Sequence, residues 1–227
     1  DKDEAIEIYT GGVMPMGPDC VAMHEDCSRD GNKIRVLATL SKGSNMRPPG
    51  ENLAKGETLI SKGQMITAAL IGQLAASGTT QLPVSRRIRV AILSTGDEVV
   101  AAGNSATSGQ IFDANRPMLK AMLQHNHIDL IDCGIVPDNK DALADAYGQA
   151  LQGADVVISS GGASDGIEDH TQNAMLQIGA ECVFWRLAMK PGRPMAVGRR
   201  DKELIFCLPG NPVASFVCTR LLILPLL

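Results

Sequence analysis

The sequence predicts an α/β fold, with a mostly parallel sheet between two layers of helices, preceded by a smaller β-rich region with one helix. From Arg86 onward, candidate strands alternate with candidate helices, which is typical of parallel strands joined by right-handed crossovers. The strands are almost continuously apolar, as strands covered on both faces are. We therefore expect a β-rich partial domain over 1–84 and an α/β domain over 85–227.

The first part is irregular and rich in Gly and Pro turns. One helix is indicated at Ala68–Ala76, because Thr67 is a suitable N-cap and the following residues are good helix formers. The candidate strands lie between loops, at Ala5–Tyr9, Cys20–His24 and Lys33–Leu40.

In the second part, apolar and β-branched runs predict the strands, and amphipathic runs after polar capping residues predict the helices. The expected strands are Ile88–Leu93, Ile128–Val136, Asp155–Ser159, Cys182–Ala188, Met195–Gly198 and Glu203–Leu208. The expected helices are Asn115–Asn126, Lys140–Leu151, His170–Ile178 and Pro212–Leu224.

Composition excludes several classes of partner. Only 3% of residues are aromatic and the net charge is −4, so we expect no stacking surface for single-stranded nucleic acid and no broad phosphate-binding face. The longest apolar stretch, Val213–Leu227, contains Arg220 and is shorter than the ~20 residues of a membrane span, which argues against a membrane partner. Six cysteines without a C-x-x-C pair favour a reducing, cytoplasmic setting.

The loops that leave the predicted strands differ from those that enter them. Entering loops are short and plain, whereas leaving loops are long and carry the reactive groups. In an open α/β sheet, ligands bind beyond the carboxyl ends of the strands. The leaving loops are 94–98, 109–116, 137–138, 160–169, 190–194 and 209–212.

Two kinds of chemistry meet in these loops. Backbone N–H groups in glycine-rich turns and the charges of Lys190 and Arg193 suit a phosphate. The carboxylates Glu98, Asp138 and Asp169 follow three different strands and suit a Mg²⁺ ion that bridges them to that phosphate. The glycine-rich residues are Gly161, Gly162, Ser164 and Gly166, with Gly210 and Asn211 as a second anion site.

Each motif also has a purely structural interpretation. A glycine-rich loop is often only a tight turn, Asp138 can cap the next helix, Glu98 can be a solvated loop residue, and Lys190 and Arg193 can pair with surface acids. The concentration of these groups at one side of the sheet nevertheless favours a site for a phosphate or another oxyanion.

The same loops resemble the motif series of the molybdopterin molybdenumtransferases, the family that includes bacterial MoeA and the E domain of gephyrin. The resemblance covers essentially the whole chain, in order. It implies a fragment that lacks the family's N-terminal part and its C-terminal β-barrel, with a molybdopterin-binding α/β domain. The matching segments are 93–98, 109–116, 159–166, 189–194 and 208–213, with 9–15 and 47–51 upstream.

The resemblance implies that molybdate is inserted into adenylylated molybdopterin with release of AMP and with help from Mg²⁺. By this resemblance Glu98, Asp138 and Asp169 are catalytic and hold the metal. The implied substrate- and phosphate-binding residues are Thr10, Thr95, Gly96, Asp97, Gly161, Gly162, Ser164, Gly166, Arg186, Lys190, Arg193, Pro209, Gly210, Asn211 and Pro212.

The resemblance also implies a homodimer, with molybdopterin adenylyltransferase as the upstream partner. In one motif Asn52 replaces the usual acid, and an amide cannot act as a base or as a negative metal ligand. Two alternative functions stay open, a molybdopterin adenylyltransferase or nucleotide pyrophosphatase domain, and a non-catalytic scaffold of the gephyrin E type.

Overall fold

The computed structural model describes residues 4–161 and 170–227. The chain divides into two compact units, Asp1–Pro83 and Val84–Leu227. No helix in the described part is long and apolar enough to cross a bilayer.

The first unit holds one antiparallel strand pair and one helix. The strands are β1 (Cys27–Asp30) and β2 (Lys33–Val36), and the helix is α1 (Ala68–Ala76). The predicted helix is confirmed with its cap, because the Thr67 hydroxyl accepts from the Leu70 N–H at 3.3 Å. Leu70 is also the only buried side chain among the described residues of this unit.

Two strands predicted in this unit are wrong, and a third is shorter than predicted. Ala5–Tyr9 forms no strand, since no described segment pairs with it. Cys20–His24 is held only by single contacts, such as the Val21 N–H to the Ser44 carbonyl at 2.9 Å, instead of by a ladder. The predicted strand Lys33–Leu40 ends at Val36, and its partner β1 was not predicted.

The second unit contains the remaining eight strands and four helices of the described residues. In chain order they are β3 (Ile88–Thr95), β4 (Val99–Val100), β5 (Ile111–Phe112), α2 (Asn115–Met122), β6 (Ile128–Val136), α3 (Lys140–Ala150), β7 (Val156–Ser160), α4 (His170–Gln177), β8 (Glu181–Trp185), β9 (Ala196–Arg200), β10 (Glu203–Leu208) and α5 (Pro212–Cys218). A π-helical turn, Thr219–Ile223, follows α5.

Six of these strands form one sheet in the order β6-β3-β7-β10-β9-β8. The strands β6, β3, β7 and β10 run parallel, and only β9 is antiparallel to its two neighbours. The predicted mostly parallel sheet is therefore confirmed. Because β8 is antiparallel to β9, its carboxyl end lies at the same edge as those of the four parallel strands.

Helices cover both faces of the sheet, which confirms the predicted three layers. Alternate residues of β3 divide between the two faces, since successive side chains of a strand point in opposite directions. Ala91 and Leu93 pack with Leu143 of α3 and Met175 of α4, in one core cluster. Residues of the other cluster include Val90, Ile92, Leu119 of α2 and Cys218 of α5.

Several element ends differ from the prediction for local reasons. The helix α2 ends at Met122, not Asn126, and the His125 N–H turns back to the Leu123 carbonyl at 2.8 Å. The strand β8 ends at Trp185, not Ala188, because Arg186 adopts a φ of 75° and leaves the strand conformation. The short pair β4–β5 was not predicted, since each strand has only two residues.

Candidate functional site

The carboxyl ends of β6, β3, β7 and β10 lie side by side at one edge of the sheet. Side chains link the neighbouring strand ends directly. The buried hydroxyls of Ser94 in β3 and Ser160 in β7 lie 3.2 Å apart. The loops that leave these strands therefore start at this edge, as predicted from the parallel topology.

The turn after β7 requires glycine. Gly161 has a φ of 96°, and a Cβ atom there would overlap the Thr95 carbonyl oxygen at the end of β3. On the other side, a Cβ on Gly210 would lie 3.7 Å from the Gly161 Cα. The Gly161 N–H donates to the Leu208 carbonyl at 3.3 Å, so this group is engaged within the sheet. The absence of a side chain at Gly161 thus allows the backbones of three strand ends to pack closely together.

Four residues of the predicted site lie outside the described residues. These are Gly162, Ser164, Gly166 and Asp169. Their roles in phosphate and metal binding stay predictions.

Carboxylates gather where β3 and β6 end. The Asp138 N–H donates to Asp97 Oδ1 at 3.1 Å. The Glu98 carboxylate folds over Gly96, with its oxygens 2.7 and 2.9 Å from the position that a Cβ of Gly96 would occupy. Burial raises the pKa of Asp138, and the nearby charges of Asp97 and Glu98 raise it further, against lowering by His170 and Thr95.

Two side-chain oxygens at these strand ends, Asp138 Oδ1 and the hydroxyl Oγ1 of Thr95, are buried. Neither has a hydrogen-bond partner in the described part of the chain. The Thr95 hydroxyl favours the charged form of Asp138 and so lowers the pKa of that carboxyl. Within residues 4–161 and 170–227, no three His, Cys, Asp or Glu side chains come together as a metal site. The predicted set of Glu98, Asp138 and Asp169 thus stays untested.

The turn between β10 and α5 is held by side chains from two helices. Asn115 Nδ2 of α2 donates to the Gly210 carbonyl at 2.9 Å, and the Ser215 hydroxyl of α5 donates to the Pro209 carbonyl. Asn211 caps α5, with its side-chain oxygen accepting from the N–H groups of residues 213 and 214 at 2.9 and 3.3 Å. Pro212 is the first residue of α5, where a missing N–H is tolerated. These contacts fix the shape of the turn.

A buried ionic network supports the first turn of α2. Asp113 accepts from the Ser94 hydroxyl at 2.9 Å and from Arg116 Nε at 3.0 Å, with only 2% of its side chain exposed. Arg116 and Lys120 also bind Asp132 on β6, at 2.7 and 2.9 Å. Burial alone raises the pKa of Asp132, but the hydrogen bonds from Arg116 and Lys120 outweigh it and lower the pKa to about 2.

The predicted basic residues lie in the connection between β8 and β9. This connection is at the same edge, because β8 runs parallel to β10. Lys190 and Arg193 are exposed and form no ion pair with any described residue. The loop is packed onto α5, where the Cys218 thiol donates to the Gly192 carbonyl at 3.8 Å. Arg186, with its left-handed backbone, starts the connection.

The site has residues to which the sequence assigned no role. Asn115 and Asp113 were part of a recognised loop, but nothing local showed that Asn115 reaches Gly210, 95 positions later. His170, the first residue of α4, lies close enough to Asp138 to lower the pKa of that carboxyl. Thr10 belongs to the first unit, in an exposed turn after Tyr9, and its role stays a prediction.

The chain is similar in sequence to two described families. Residues 91–227 match the family described as a probable molybdopterin binding domain, and residues 1–78 match the MoeA N-terminal region (domain I and II). The molybdopterin molybdenumtransferase of Haemophilus influenzae is 37% identical over 98% of this chain and 55% of its own length. That of a Nostoc species is 38% identical over 94% of this chain and 50% of its own length.

Solved structures agree with this match. A molybdopterin biosynthesis MoeA protein from Pyrococcus horikoshii superposes with a TM-score of 0.71 at 30% identity, over 92% of this chain and 52% of that one. The chain spans about half the length of the curated relatives it matches. Since the molybdopterin-binding match covers more than half of the chain and the relatives nearly all of it, this chain belongs to the MoeA-type family of molybdopterin-binding proteins.

Proposed function

We propose that the full-length protein inserts molybdate into adenylylated molybdopterin and releases AMP, with Mg²⁺ as the cofactor. The observation that carries this proposal is the meeting of a carboxylate cluster, a close-packed glycine turn and a basic loop at one edge of the sheet. The names of the relatives support the same reaction class, molybdenum transfer to molybdopterin.

The spacing of charge along the edge favours an extended substrate. The acids lie at the ends of β6 and β3, whereas Lys190 and Arg193 lie beyond β10, where β8 and β9 connect. Neighbouring strands are about 4.8 Å apart, so β3 and β9, three strands apart in the sheet, are separated by about 14 Å. A single oxyanion is too small to contact both groups, whereas a nucleotide joined to a pterin can reach from one to the other.

The basic and glycine-rich parts have separate roles in this proposal. Lys190 and Arg193 bind and neutralise phosphate or molybdate oxygens, with the planar guanidinium able to contact two oxygens at once. Gly161 and Gly210 bring the backbone of two strand ends close to the bound group. The turn at 209–212 orients the oxyanion, because Asn115 and Ser215 hold it rigid.

The carboxylate cluster suits Mg²⁺ by its donor chemistry. Asp138 Oδ1 is a buried carboxylate oxygen without a hydrogen-bond partner among the described residues, beside Asp97 and Glu98. Mg²⁺ prefers such oxygens, and its charge would offset the repulsion between them. Because no three acids of the described residues form a metal site by themselves, the predicted set of Glu98, Asp138 and Asp169 would hold the ion, which would supply charge neutralisation at the phosphate.

The direct test is AMP release by the full-length protein from adenylylated molybdopterin. We expect release that requires both added molybdate and Mg²⁺. Release that proceeds equally without molybdate would instead indicate a nucleotide pyrophosphatase. Adenylylation of molybdopterin from ATP would indicate an adenylyltransferase, and binding without any turnover would indicate a scaffold.

A matched pair of substitutions tests the carboxylate cluster. Asp138 follows the carboxyl end of β6, whereas Asp129 lies near its amino end, half exposed and paired with Arg87. We expect Asp138→Ala and Glu98→Ala to abolish turnover in a folded protein, and Asp129→Ala to leave it unchanged. Full turnover in the Asp138 and Glu98 variants would exclude the metal-binding role.

The proposal extends to the setting of the enzyme. By its family resemblance the full-length protein is a cytoplasmic homodimer that receives its substrate from molybdopterin adenylyltransferase. Light scattering of the full-length protein gives the oligomeric state, and a monomer at working concentration would exclude the homodimer.

A further inference from the structure

Asn115 occupies an unusual position at the first turn of α2. It is 8% exposed, and its Nδ2 donates to the Gly210 carbonyl at 2.9 Å. This bond sets the orientation of the whole amide, because the reversed orientation would turn two acceptor oxygens toward each other. The direction of the side-chain oxygen is therefore decided by the turn at Gly210.

That oxygen, Asn115 Oδ1, is buried and has no hydrogen-bond partner among residues 4–161 and 170–227. A buried polar atom without a partner destabilises the folded protein, and native structures contain few of them. The network behind α2 does not need Oδ1, because Asp113 and Arg116 bond to each other and to Ser94 and Asp132. Asn115, which contacts the turn at the ligand edge, thus keeps an acceptor that no described residue uses.

Asn115 belongs to a chain of close contacts among the groups that form the proposed site. Asn115 contacts Gly210, Gly210 approaches Gly161, and Gly161 approaches the end of β3 at Thr95. A neutral acceptor cannot bind molybdate or phosphate oxygens, which are acceptors themselves at neutral pH. It requires an N–H or O–H donor, and the organic part of the substrate carries such donors.

We propose that Asn115 is a ligand-binding residue whose Oδ1 accepts a hydrogen bond from an N–H or O–H group of the substrate's nucleotide or pterin. This inference rests on the proposed function, since that function defines the substrate. Asn115 then acts in two ways with one side chain: the nitrogen holds the turn at 209–212, and the oxygen recognises the organic part of the ligand.

The test compares two probes on the full-length protein, AMP and molybdopterin without a nucleotide. Titrations with wild type, Asn115→Ala and Ser215→Ala give the dissociation constants. Ser215→Ala is the matched control, because Ser215 also anchors the turn, and its hydroxyl is already hydrogen-bonded to the Pro209 carbonyl. We expect Asn115→Ala to weaken one of the two probes about tenfold, as loss of one buried hydrogen bond does, and Ser215→Ala to weaken it much less.

The two probes distinguish the source of the donor. A loss confined to AMP assigns the donor to the nucleotide, and a loss confined to molybdopterin assigns it to the pterin. Ligand-side deletions with 2′-deoxy-AMP, 3′-deoxy-AMP and inosine monophosphate use wild-type protein, so they remain informative if Asn115→Ala fails to fold. If the donor belongs to the nucleotide, one of these analogues should bind wild type about tenfold more weakly than AMP does. The same analogue and AMP should bind Asn115→Ala with equal affinity.

Equal weakening by Asn115→Ala and Ser215→Ala would show that Asn115 only holds the turn, and would overturn the proposal. Unchanged affinity for both probes in Asn115→Ala would overturn it as well. The binding measurements do not depend on turnover. A wild-type protein that binds the probes but shows no molybdate-dependent AMP release would therefore refute the proposed function and not the role of Asn115 in binding.

Discussion

The close approach of three strand ends makes Gly161 the most informative position for substitution. A Cβ there would overlap the Thr95 carbonyl oxygen, at a φ of 96° that alanine rarely adopts. The left-handed conformation alone costs alanine about 1–2 kcal/mol relative to glycine. Relieving a steric overlap in a packed region adds roughly 1–3 kcal/mol. We therefore expect Gly161→Ala to destabilise the fold by about 2–5 kcal/mol.

Gly179 is the matched control for this substitution. Its φ is 77°, similarly left-handed, but a Cβ there would meet no atom within 4 Å. It lies between α4 and β8, where the chain enters the sheet, away from the ligand edge. Gly179→Ala should therefore cost only the conformational part, about 1–2 kcal/mol, and leave turnover of the folded protein unchanged.

Urea unfolding followed by fluorescence measures the two losses. Trp185 is the only tryptophan of the 227 residues and lies in β8, so its signal reports on the sheet. AMP release by the full-length protein should fall in Gly161→Ala beyond what the lost stability explains, because the strand ends must move apart. Equal destabilisation by the two substitutions, with turnover kept in both, would refute the argument from close packing.

Three further predictions concern polar groups of the α/β unit. Asp132→Asn should lower the free energy of unfolding by about 1–2 kcal/mol at neutral pH, because the native pKa of Asp132 is about 2. In urea unfolding, the difference in stability between wild type and variant should vanish as the pH falls from 4 to 2. Tyr147→Phe should lower the free energy of unfolding, measured in urea, by about 1–2 kcal/mol. The Tyr147 hydroxyl lies 2.9 Å from the buried Ser159 hydroxyl, which loses this hydrogen-bond partner in the variant. Asp138→Asn should raise the stability of the fold at neutral pH, because the raised native pKa of Asp138 means that its charged form is disfavoured in the folded protein; turnover should be lost. Thermal unfolding should show that this gain in stability shrinks in acid, where Asp138 is protonated in the folded and the unfolded protein. A gain that grows in acid would contradict this last prediction.

The sequence predicted the sheet and helices of the second unit well, because their signals are local. Apolar strands such as β3 and β7 and capped helices such as α3 carry their pattern within a few residues. The strands expected at Ala5–Tyr9 and Cys20–His24 failed for the opposite reason. A strand forms only with a hydrogen-bonding partner, and the partner is not encoded in the segment itself.

The sequence by itself determined the kinds of element in the second unit, the loops in which reactive side chains are expected and the resemblance to a family. Only the tertiary structure decided which strand ends are neighbours, that β9 runs antiparallel, and which side chains meet there. The contact from Asn115 to Gly210 and that from Asp138 to Asp97 join positions 95 and 41 residues apart. Such contacts depend on strand order and on the packing of α2, and these are set by burial of the whole core and not by any local pattern.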